Sequence, residues 1–144
     1  MKPFDLANQQ VILSKENGGS KNFVLWLDGN QLKLTMAAET FNFGAIAMGF
    51  HLFHFLIEKV GSTTHVTFYN DGNLIGNHDF AGSNADWSGG TKWTLGKKQG
   101  VGTAQQFLTG LIDEVVFYKS LLDVPTIQLQ NSLGTDPSLS LIHI

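Results

Sequence analysis

The chain has no cysteine. That removes disulfides, thiolate metal sites and cysteine nucleophiles together. It leaves the compartment open, because a domain of 144 residues buries enough apolar surface to fold without covalent staples. Arginine is missing too: all nine basic residues are lysines, set against twelve acids for a formal net charge of −3. A nucleic-acid partner is excluded on that balance, since a phosphate backbone calls for a basic face and arginine is its bidentate donor. Specific binding of sulfate or phosphate is disfavoured for the same reason. Long apolar runs are also lacking. The richest stretch, Ala45 to Val60, is broken by His51, His54, Glu58 and Lys59, so no segment of about 18 apolar residues exists to insert in a membrane. Met1 to Asp5 contains no signal-peptide core. Charged residues make up only 15% of the chain, which argues for a packed core and against disorder.

What is present is β-like. Eleven phenylalanines and sixteen glycines punctuate short apolar runs. Val11–Lys15 is a β-branched run followed by the turn residues Asn17 to Ser20. Phe23–Leu27 meets Gln31–Met36 across Asp28-Gly29-Asn30, a strong hairpin signal. In the second run Gln31, Lys33 and Thr35 alternate with Leu32, Leu34 and Met36, giving one wet face and one buried face. Phe50–Val60 and His65–Tyr69 read as further strands. A second turn, Asn70-Asp71-Gly72-Asn73, leads to Leu74–Gly76, and Asp28 and Asp71 read most simply as turn formers. A polar loop from His78 to Thr91 precedes Trp93–Gly96, and Gln106–Tyr118 is expected to be the closing strand. Leu122–Ser132 is the one helical segment, with Asp123 as its cap, Pro125 in its first turn, and Ile127 and Leu129 as core contacts. Strands every ten residues or so, with turns between, indicate an antiparallel β-sandwich or barrel.

Phe107, Gly110, Ile112, Asp113, Glu114, Val115, Tyr118, Ile127 and Leu129 fall in an order that resembles the end of laminin-G-like jelly-roll domains, of the concanavalin A-like lectin/glucanase superfamily. Upstream, Phe68 to Gly76, Thr94-Leu95-Gly96 and Val11–Lys15 resemble other strands of that family in the same order. The resemblance implies an all-β fold of two packed antiparallel sheets, with one short C-terminal helix. It also implies an extracellular or cell-surface setting and a role in binding a carbohydrate or an extracellular protein, within a larger multidomain protein. The family's opening strands have no clear counterpart in Met1–Gln10, so the sandwich is expected to lack N-terminal strands and to expose edges and apolar surface. The domain is expected to span residues 1–133. The tail, 134–144, ends in Leu139–Ile144, which resembles a translated sequencing-library adapter; a natural terminal strand is the other reading.

Catalysis is not expected. Asp113 and Glu114 are neighbours on an expected strand and point to opposite faces, so they cannot form the facing pair of a glycosidase. The related glucanases' Glu-x-Asp-x-x-Glu spacing is absent. Three candidate binding residues stand out: Asn84, Asp86 and Trp87, in a Gly- and Ser-rich loop, where an aromatic face could stack on a sugar and amide or acid groups bond its hydroxyls. The alternative for Trp87 is an aromatic folded over a sheet edge. Trp26 and Trp93 are expected in the core. The resemblance implies that Asp113 could help bind a structural calcium; one acid is far short of six to eight oxygens, and a hydrogen-bonded polar residue is the other reading. His51 and His54, three apart on one strand, cannot share a metal. The leading expectation is a non-catalytic module that recognises a glycan by the Trp87 loop or by a concave sheet. A protein-adhesion module is the alternative, and a degenerate glycan-cleaving domain the second alternative.

Overall fold

The computed structural model describes residues 9–17, 20–36, 39–81, 92–96, 108, 110–112 and 115–134. Among these residues eight strands and one helix follow one another: β1 (Gln10–Asn17), β2 (Ser20–Asp28), β3 (Gln31–Met36), β4 (Glu39–Ala45), β5 (Phe53–Val60), β6 (Thr63–Asn70), β7 (Asn73–Ala81), β8 (Trp93–Leu95) and α1 (Val124–Gly134). They form a five-stranded sheet in the order β4-β3-β2-β1-β8 and a three-stranded sheet in the order β5-β6-β7. Every pairing is antiparallel. The fold is the all-β jelly-roll sandwich expected from the sequence.

β1–β4 and β5–β7 each form a meander because their hairpin turns are short. Asp28 pairs with Gln31 across Gly29-Asn30, and Gly29 takes a positive φ of 61° that a side chain would resist. Asn70 pairs with Asn73 across Asp71-Gly72, where both central residues have positive φ, 50° and 74°. That is the pattern of a type I′ turn, and aspartate tolerates it better than most residues.

Alternation then sorts the faces. Phe23 and Leu25 of β2, Leu32, Leu34 and Met36 of β3, and Phe43 of β4 are buried against Val66 and Phe68 of β6 and Phe80 of β7. Phe68 is the hub: its ring lies 4.6 Å from Phe55, 5.1 Å from Phe43 and 5.5 Å from Phe53. Phe53, Phe55, Ile57 and Trp93 are partly buried against the same core. Fully burying a side chain of this size stabilises by about 1.5–3 kcal/mol.

Three expectations need correction. The strand β4 has no counterpart in the sequence reading, although Phe41 and Phe43 alternate with Thr40 and Asn42. The expected closing strand does not form among the described residues: Gly110–Ile112 and Val115–Tyr118 are irregular. They line the apolar cleft between the sheets, with Phe117 against Trp93 at 4.9 Å. Tertiary placement has overridden β propensity there. The helix forms as expected, and Asp123 Oδ1 accepts from the Thr126 N–H at 2.9 Å. Hydrogen bonds from Thr126, first its side chain and then its N–H, hold the Asp123 carboxyl below its ordinary range. Ile127 is fully buried, but Leu129 is 58% exposed. Two residues at about 100° each turn Leu129 to the far side of the helix.

Helix α1 is fastened to the end of the three-stranded sheet. His54 Nε2 donates to Gln130 Oε1 at 2.8 Å, and Gln130 Nε2 donates to the Tyr118 hydroxyl at 2.8 Å. Gly72 lies against Asn131, so closely that an added Cβ would sit 3.2 Å from the Asn131 Cβ. Asp71 fastens the segment before β5. Its Oδ1 accepts from the Leu52 N–H at 2.9 Å, and its Oδ2 accepts from His51 Nδ1 at 2.7 Å.

Candidate functional site

On β2 the core residues Phe23, Leu25 and Leu27 fix the opposite parity, Val24, Trp26 and Asp28, on the outer face. On β3 the same rule sends Gln31, Lys33 and Thr35 outward. The register sets Trp26 beside Lys33, Asp28 beside Gln31, and Lys33 beside Asn42 of β4. A half-buried tryptophan thus stands among hydrogen-bonding side chains on three adjacent strands.

Those side chains hold one another in place. Trp26 Nε1 donates to Thr35 Oγ1 at 3.0 Å, and the Thr35 and Thr40 hydroxyls share a bond of 2.8 Å. Lys33 Nζ donates to Asp28 Oδ2 at 2.6 Å and lies 5.1 Å from the centre of the Trp26 ring. Asn42 Nδ2 donates to Gln31 Oε1 at 3.3 Å, and Gln31 Nε2 donates to Asn30 Oδ1 at 3.1 Å. The ion pair is partly open to solvent, so its contribution to stability is small, up to about 1 kcal/mol. Its chemical value lies in its placement. The patch offers an ammonium, a carboxylate, amides and hydroxyls around one indole, with little net charge. Such a surface can bond a polyhydroxylated ligand as donor and acceptor at once.

A second concavity has the opposite character. Between the sheets, on the side of β1, β8 and β5, an apolar cleft of about 390 Å³ is lined by residues including Ile12, Leu27, Phe53, Ile57, Trp93 and Phe117. Around it Phe50 and Leu111 are 79% and 80% exposed. The far side of the sandwich is shut. There the His78 ring stacks on Phe41 at 4.0 Å, and His78 Nε2 donates to Glu39 Oε1 at 2.6 Å.

The sequence-derived candidates Asn84, Asp86 and Trp87 lie outside the described residues, as do Asp113 and Glu114. Leu139–Ile144 lies outside them too. For calcium, the described residues bring no three of His, Cys, Asp or Glu together. His51, which lies ahead of β5, and His54 on β5 go to different partners, Asp71 and Gln130. His65 is paired with Asp79 across β6 and β7. Asp71 is a turn former that also clamps a loop. Trp93 sits at the core margin as expected, whereas Trp26 does not: its parity with Asp28 and its register with Lys33 put it, half-buried, on the outer face of the sheet, beside the buried Val11, Val24 and Thr35. The alternation of Gln31, Lys33 and Thr35 was the signal that could have placed it.

Residues 1–128 match a laminin G family model described as the concanavalin A-like lectin/glucanases superfamily. No curated protein matches the chain. Among solved structures, a crystal structure of an S-layer domain-containing protein from Clostridium thermocellum is similar at 20% identity and a TM-score of 0.44. The likeness covers 91% of this chain, which spans 66% of the other.

Proposed function

The chain belongs to the concanavalin A-like lectin/glucanases superfamily, and from that premise we propose that it is a non-catalytic module that holds a glycan against the outer face of its five-stranded sheet. The observation that carries this reading is the Trp26 patch. An indole supplies an apolar plane for the C–H face of a sugar ring, and Asp28, Lys33, Gln31 and Asn42 supply fixed donors and acceptors for its hydroxyls. The side chains are already tied to one another, so little ordering is lost on binding. The loop residues Asn84, Asp86 and Trp87 remain the second candidate surface for the same ligand.

The non-catalytic part of the reading is supported by the disposition of the acids. Asp28, Glu39, Asp71 and Asp79 are each engaged by a separate basic side chain, in four different places. An extracellular role within a larger protein accords with the family. A protein-adhesion role is favoured by one observation, the exposed Phe50 and Leu111 at the apolar cleft.

The test is a glycan array probed with the purified protein, with and without calcium, beside Trp26→Ala, Asn42→Ala and Trp87→Ala. Binding lost in Trp26→Ala and weakened in Asn42→Ala supports the sheet face. Binding lost only in Trp87→Ala moves the site to the loop, and loss on chelation brings Asp113 forward. A folded protein that binds no glycan in either condition overturns the reading in favour of adhesion.

A further inference from the structure

Among the described residues, β5 is hydrogen-bonded on one side only. It pairs with β6 over all eight of its residues and forms the edge of its sheet. A free edge offers unpaired N–H and C=O groups to any strand that can lie beside it, and proteins usually blunt such edges with proline, bulges or inward-pointing charge. Here β5 contains no proline, and its register with β6 has no bulge. Its inner residues Phe53, Phe55 and Ile57 line the apolar cleft. The sole inward charge is Lys59, next to the end of the strand.

The pattern of β5 is self-complementary. When two copies of a strand pair antiparallel about a two-fold axis perpendicular to the sheet, opposed residues must share a face. With the axis at Leu56, Leu56 meets the second copy's Leu56, Phe55 meets its Ile57, and His54 meets its Glu58. With the axis at Ile57, Leu56 would face Glu58 and Phe55 would face Lys59. With the axis at Phe55, Leu56 would face His54. The Leu56 register sets Leu56 on Leu56 and Phe55 on Ile57 and places each carboxylate opposite an imidazole, with Phe53 opposite Lys59 as its one mixed pair.

We propose that this chain dimerises through β5, antiparallel about a two-fold axis at Leu56, to join two three-stranded sheets into one of six strands. The two apolar clefts then lie side by side along the shared edge, and the inner residues of each β5 cover part of the other's. This surface is separate from the Trp26 patch, which stays open on both copies.

Sedimentation of the purified protein is expected to show a concentration-dependent mass rising from 15.8 kDa toward twice that value. Leu56→Lys sets two ammonium groups against each other on the axis and is expected to restore the monomer, with circular dichroism unchanged. The absence of native cysteine permits a second measurement that does not depend on how that variant folds. Leu56→Cys is expected to cross-link under mild oxidation, because directly opposed positions meet disulfide geometry. Thr67→Cys, next to Leu56 on β6, is expected not to. A mixture of His54→Cys and Glu58→Cys is expected to yield the mixed dimer. A monomer at every concentration overturns the proposal. So does a dimer that persists in Leu56→Lys, or one that cross-links at Thr67 and not at Leu56.

Discussion

The two long edges of this sandwich are made from the same alphabet and end differently. At the β4–β7 edge, Phe41 and His78 stack face to face and Glu39 ties down the imidazole, so a hydrogen-bonded pair caps an aromatic contact and the sheets meet. At the β8–β5 edge the strand facing β5 is only three residues long, and the space between the sheets remains an apolar cleft. Both edges carry large apolar side chains. What closes one of them is a side chain long enough to cross the rim with a polar end that has a partner there. Apolar content alone does not close a sandwich.

That contrast can be broken or sharpened by substitution. The largest effect is expected at Phe68, the hub both edges share. Phe68→Ala should lower unfolding free energy by about 3–5 kcal/mol, read as a fall in the urea midpoint with no change in slope. At the closed edge, His78→Ala removes the ring stack and the Glu39 contact, and should cost about 1–2 kcal/mol. Its counterpart at the open edge, Phe117→Ala, should cost under about 1 kcal/mol, because that ring is already more than half exposed. Equal losses at His78 and Phe117 would show that the open edge is packed as firmly as the closed one. The smallest effect lies away from both edges. Asp123 has its carboxyl held low by Thr126, so its support for α1 is complete above the ordinary carboxylate range. It is lost as pH falls through the lowered folded value. Protection of the first-turn amides of α1, taken against the intrinsic exchange rate at each pH, should therefore fall on acidification in the native protein and stay level in Asp123→Ala.

The closed half of the molecule was legible in its hairpins, though not in β4, the strand at its rim. In Gln31–Met36 the alternation of polar and apolar residues gave the strand, its buried face and its length. The Asp-Gly turns were read as hairpins, and the folded chain has them with positive φ where required. The open half was harder to read for a physical reason. Gly110–Tyr118 has the composition of a strand, yet being a strand depends on a neighbour to share its hydrogen bonds, and composition does not reveal neighbours. The Trp26 patch was missed in a related way. Trp26 looks like core by type, and only its register beside Lys33 and Asn42 shows that it is not. Leu129 repeats the lesson on the helix: an apolar residue two positions from the buried Ile127 has the wrong phase to join it.

The two-meander layout also bears on how the chain assembles. Seven of the eight strands pair only with strands next to them in sequence or, in the case of β1, begin by doing so. Such ladders have low contact order and form without closing large loops. The exception is Lys15 with Trp93, where β8 returns to β1 from the far end of the domain. Its closure entropy must be met before any of its short ladder is gained. The two meanders are therefore the natural early units of folding, and β8 is expected to dock last and to open first in native-state hydrogen exchange.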